Sequence, residues 1–198
     1  MNNPLSLVDP TGLFSFGTDL SDEQRKKITD AYNKLKEALG KLEGGSKAYN
    51  SIARSLARLG EPGKANGVVV TVGATKFSEG ADTDVNKINK GVVTIRFDEK
   101  TFGNSRTEDD AANLGHEGVH ADDAFNLYSH SRSFSAFAKA WESNDVTYRG
   151  NNRIWGQAFD SAILFAGKLY LSSHESNYAQ CVRLRCKSCC VDGIVEWD

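Results

Sequence analysis

No run of about 18 apolar residues occurs in this 198-residue chain, so the sequence offers no helix that could span a bilayer. The basic-then-apolar pattern of a secretory signal is missing from the N-terminus; export is therefore expected to depend on another carrier. Neither charge sign dominates: 24 Lys and Arg stand against 26 Asp and Glu, a net charge of -2. That balance gives no electrostatic draw toward nucleic acid or an acidic membrane. Cysteine is absent until Cys181, and all four lie at Cys181, Cys186, Cys189 and Cys190. A disulfide framework scattered through a secreted fold is thereby excluded. Three readings of the local cluster stay open. The two-residue spacer between Cys186 and Cys189 suits thiolate metal binding and a second zinc, and the same residues could instead form disulfides or stay free thiols. No internal repeat is visible.

What is present is ordinary for one globular domain with a substantial core, with 39% hydrophobic and 25% charged residues. Ser21-Asp22-Glu23-Gln24 is a capping box. Ile28, Ala31, Tyr32, Leu35, Ala38, Leu39 and Leu42 follow at helical spacing, with Gly44-Gly45 as the stop. Ser46 opens a second helix, apolar along Tyr49, Ile52, Ala53, Leu56 and Leu59, ended by Gly60. The two should pair antiparallel, their stripes forming core. The period then changes. Gly67–Gly73 and Gly91–Phe97 are β-branched runs separated by a polar stretch, which reads as a hairpin with a long loop. Thr107 can cap the next helix, with Glu108, Asp109 and Asp110 favouring its dipole, and this helix should run to about Tyr128. Ser133 starts another through Trp141, and Ile154–Leu171 reads as a buried helix. The expected fold is α+β, a small antiparallel or mixed sheet packed on helices.

His116-Glu117-Gly118-Val119-His120 spells H-E-x-x-H. On a helix, i and i+4 share a face, so both imidazoles can reach one zinc ion, and Glu117 projects beside them as a general base for a zinc-bound water. A catalytic zinc takes three protein ligands and leaves one position open. Glu142 is the first choice for the third, 22 positions after His120 on the following helix. Asp123 is the runner-up, then Asp145 and His174, whereas His130 falls too far along the helix. Asp123 or Asp145 could instead orient a ligating imidazole, and Tyr148 or Arg153 could stabilise an oxyanion. Glu117 would pass its proton to the leaving amine, so the parts point to amide, most naturally peptide, hydrolysis.

Two resemblances add to this. Pro4-Leu5-Ser6-Leu7-Val8-Asp9-Pro10-Thr11-Gly12-Leu13, extended and turn-rich by composition, resembles the end of the RHS-repeat core, P-x4-D-P-x-G-L, at every fixed position. It implies a junction remnant over 1–13, cut after Leu13 by a shell, and a toxin domain over 14–198 with a Cys-rich tail. It further implies delivery into a target cell, into cytoplasm or periplasm, and a cognate immunity protein. A strand pair, then H-E-x-x-H on a helix, then an acidic residue on a later helix resembles the zincin metallopeptidases, in their glutamate-ligand branch. That likeness implies a zincin-like fold, a protein or peptide substrate, and a last strand before the motif helix, Gly91–Phe97, that receives substrate as an added strand.

Rival readings are another hydrolase toxin (deamidase or nuclease), a zincin-like shell that binds a partner without catalysis, and a module whose only metal sits at the cysteines. The absence of a basic patch speaks against nucleic acid as a partner.

Overall fold

The structure is a computed structural model that describes residues 13–63, 65–75 and 80–146, the side chains of residues 13, 47 and 142–146 excepted. It is a mixed five-stranded sheet with helices. Strands β1 (Leu13–Phe16), β2 (Glu61–Pro62), β3 (Val68–Gly73), β4 (Ala81–Asp84) and β5 (Val93–Asp98) lie in the order β2-β1-β3-β5-β4. All neighbours are parallel except β4, which runs antiparallel to β5 on the outer edge.

The two β-branched runs therefore do not form the expected hairpin. β3 and β5 pair in parallel, Val70 opposite Ile95, and the polar stretch between them supplies β4 and a short 3-10 helix, Ile88–Lys90. Antiparallel neighbours can be joined by a tight turn, but parallel ones need a crossover. The intervening chain is that crossover, and it carries the edge strand. Strand alternation sorts the sheet's faces. Val68, Val70, Val93, Ile95 and Phe97 are buried, while Val69, Thr71, Thr94 and Arg96 remain partly exposed.

Helix α1 (Asp22–Gly40) starts as its sequence dictates: Ser21 Oγ accepts from the Gln24 amide, and the Gln24 side chain accepts from the Ser21 amide. It ends at Gly40, before the Gly44-Gly45 stop, so Leu42 packs on the core from outside the helix. Its buried stripe, Ile28, Ala31, Tyr32, Leu35 and Ala38, has the expected spacing. Tyr32 meets Phe14 of β1 edge-on at 5.8 Å between ring centroids. Helix α2 (Lys47–Leu59) is capped by Ser46 and closed by Gly60 at φ 64°, ψ -145°, a backbone state open to glycine. After the one-turn α3 (Glu99–Phe102) comes α4 (Thr107–His130), against which α1 and α2 both pack.

Thr107 is the first residue of α4 and not its cap. Arg106 holds the cap position without a side-chain bond to the helix amides. The acidic first turn is secured from outside. Ser105 Oγ donates to Asp110 at 2.6 Å, and Lys27 of α1 lies 3.5 Å from the same carboxylate. Ser133 caps α5 (Phe134–Val146), its hydroxyl accepting from the Ala136 amide. α5 turns back onto α4 through Phe137, whose ring meets Tyr128 edge-on at 5.5 Å. Among the described residues no helix is long and apolar enough to cross a membrane. The expected helix Ile154–Leu171 lies outside the described residues.

Candidate metal centre

Helix α4 is buried on most sides. Ala111, Leu114, Gly115, Gly118, Ala121 and Ala124 are all inaccessible, and the run of small residues lets neighbouring elements approach its backbone. Gly118, inside the motif, is the tightest of these places. A β-carbon there would collide with Ser55 Oγ of α2 and come within 3.2 Å of Leu59 Cδ1. Glycine at this position lets α2 pass directly behind the motif.

One face of that same turn gathers His116, Glu117 and His120. The two imidazole Nε2 atoms lie 2.9 Å apart, with ring planes at 81°. Glu117 Oε1 stands 3.9 Å from His116 Nε2. One ligand atom from each of the three residues falls within 4.8 Å of the others, so the group could hold a metal ion. The donor set suits one. Two bonds of about 2.0–2.1 Å at a tetrahedral angle set their nitrogens roughly 3.3 Å apart, so a small turn of either ring admits an ion.

Burial decides the electrostatics. His120 is only 3% exposed. Desolvation first, then the charges of His116 and Arg54, holds it well below the usual histidine range. It is therefore neutral at physiological pH, the form that ligates metals. Burial pushes the Glu117 carboxyl up to about 8 in the metal-free chain; a hydrogen bond from Thr83 opposes this and the nearby Asp82 adds to it. That bond runs from Thr83 Oγ1 on β4 to Glu117 Oε2 at 2.6 Å.

The other expected residues fall out differently. Asp123 is buried one turn past His120 and pairs with Arg54 of α2, outside the group of three. Arg54 also reaches Asp122, as does Arg58 at 3.0 Å, and the Arg58 guanidinium stacks 4.6 Å over Phe125. His130 is exposed at the end of α4, its Nδ1 2.7 Å from the Asn126 carbonyl. Glu142 and Asp145 belong to α5, but their side chains lie outside the described residues, as do Tyr148, Arg153, His174 and the four cysteines entirely. Gly91–Phe97 is not a free receiving strand. β5 is paired on both sides, and among the described residues β4 is the edge strand on that side.

Sequence reasoning missed Thr83, Arg54 and Ser55. Arg54 and Arg58, spaced i,i+4 against Asp122-Asp123, left a charge pattern that could have been found. Thr83 left none.

No family model, curated protein or solved structure matches this chain.

Proposed function

We propose that the chain is a zinc-dependent peptidase of the zincin type, serving as the toxin module of an RHS-repeat protein. The carrying observation is the convergence of His116, Glu117 and His120 on one buried turn of α4, beside β4, the edge of the sheet among the described residues. His116 and His120 would hold zinc through Nε2. Glu142 is the proposed third ligand, and the return of α5 onto α4 supports that choice. Zinc held by these residues would supply Lewis acidity toward a carbonyl and would bring the pKa of a water toward neutrality. An extended peptide laid along β4 would take main-chain hydrogen bonds from the sheet edge. Glu117 accepts a proton from the attacking water and returns it to the amide nitrogen as the C–N bond breaks. Tyr148 is the proposed donor to the oxyanion.

The toxin reading draws support from the junction motif. Its final residue, Leu13, is also the first residue of β1, and Phe14 directly after it is fully buried. Partners then follow from the resemblance: the RHS shell, a cognate immunity protein that covers the site, and a protein or peptide substrate in the target cell.

Elemental analysis of the purified chain tests this. One zinc per chain is expected, lost in His116→Ala and Glu142→Ala and kept in a Cys186→Ser/Cys189→Ser pair. Absent zinc, or zinc lost only with the cysteines, would sink the peptidase. Bound zinc without hydrolysis of any protein would leave a binding module.

A further inference from the structure

Thr83 and Glu117 stand 34 residues apart in sequence and meet where β4 lies against α4. The Thr83 hydroxyl donates to Glu117 Oε2 at 2.6 Å, while the Glu117 main-chain carbonyl lies farther off, at 3.3 Å. A hydroxyl has one proton to give, so the shorter contact holds it. Among the described residues Thr83 is the one hydrogen-bond donor to this carboxylate. The two oxygens of a carboxylate are chemically equal, and its terminal torsion is soft. A single donor removes that equality. Oε2 is tied to the strand, and Oε1 is left on the side of the imidazole pair, 3.9 Å from His116 Nε2.

The place of Thr83 in the sheet adds a second property. In the register of β4 with β5, Thr83 lies opposite the buried Ile95, and its side chain is turned to α4. Its backbone, by contrast, belongs to the outermost of the described strands on that side of the sheet. One residue thus touches the general base with its side chain and offers its main chain to an added strand.

We infer that Thr83 is a positioning residue for Glu117: its hydroxyl fixes Oε2 so that Oε1 is the oxygen presented to the reacting groups, and seating a peptide on β4 steadies that aim. The inference rests on the peptidase reading and adds to it a mechanical link between substrate docking and the base.

The test compares Thr83→Val, which keeps the shape and loses the hydroxyl, with Thr83→Ser, which keeps the hydroxyl. Both are made in the full chain. Zinc content by elemental analysis, steady-state cleavage of a quenched fluorescent casein, and crystal structures of the three proteins are the readouts. Zinc should stay at the wild-type level in both variants. Thr83→Val should lose about 10- to 100-fold in kcat with little change in KM, the scale of one hydrogen bond to a charged group. Thr83→Ser should recover most of it. In the Thr83→Val crystal the Glu117 carboxylate should leave its position while His116 and His120 keep theirs. Wild-type kcat in Thr83→Val overturns the inference and leaves the peptidase standing. So does a kcat loss with Glu117 unmoved, because Thr83 would then act through the strand alone. A wild-type chain that binds no zinc, or that hydrolyses no protein, casein included, overturns both readings together.

Discussion

Arg54 of α2 and Asp123 of α4 form an ion pair one turn beyond His120, with the Asp123 side chain 7% exposed. The pair locks the helix that passes behind the motif to the helix that carries it. Breaking one side of such a pair leaves an uncompensated buried charge, so Arg54→Met should lower stability by roughly 3 kcal/mol. Chemical denaturation checks this, and a change below about 0.5 kcal/mol, the scale of an ordinary surface substitution, would count against it. Asp123→Asn should retain its zinc, because Asp123 is committed to the arginine.

Glu117→Gln is expected to fold and to bind zinc as the wild type does, since the proposed ligands are His116, His120 and Glu142 and not Glu117. Hydrolysis should fall by about 10²- to 10⁴-fold, the usual contribution of a general base. Parallel measurement of zinc content and cleavage rate separates loss of the base from loss of the ion. Undiminished turnover would remove Glu117 from the chemistry.

Gly118→Ala should destabilise the chain by about 1–3 kcal/mol despite the better helix propensity of alanine. The added carbon meets Ser55 Oγ, and Leu59 Cδ1 stands only 3.2 Å away. Ser55→Gly in the same chain should recover part of the loss. Ser55 Oγ is buried with no hydrogen-bond partner among the described residues, so Ser55→Ala alone should cost little. Thermal melts of the four proteins would expose a wrong account if Gly118→Ala melted above wild type.

Asp110 gives stability a pH dependence. Burial raises its carboxyl from 3.8 to about 6, against the hydrogen bond from Ser105 and the charge of Lys27. The folded chain therefore holds this proton more tightly than the unfolded one. Its contribution favours the fold below pH 4 and is lost as pH rises toward about 6. Asp110→Asn removes that slope. Measured from pH 4 to 7, the Tm difference between variant and wild type should move in the variant's favour up to about pH 6 and then level. A difference independent of pH would refute the assignment.

Much of this was legible in the residues. The Ser21–Gln24 box and the Ser46 cap declared two helices because capping is local chemistry. The motif was legible for the same reason, since i and i+4 must share a face. Strand direction was not, because β-branched runs look alike in parallel and antiparallel pairs and only the connection distinguishes them. β4 was hidden more deeply. Ala81-Asp82-Thr83-Asp84 is short and polar, so its strand state comes from the ladder with β5 and not from its own pattern. Thr83 entered the site by that route, through a contact that no spacing announces.

The earliest of the described strands has the least independent start. β1 lies between β2 and β3, both later in sequence. During synthesis Phe14 can find no neighbouring strand until residues 61–73 have been made, and of the partners its ring meets in the fold only Phe16 and Tyr32 are at hand meanwhile. The sheet cannot be laid down in the order in which it is translated. β1 must wait to be inserted between partners that do not yet exist, which makes this four-residue strand a slow, long-range step and the point where misassembly would begin.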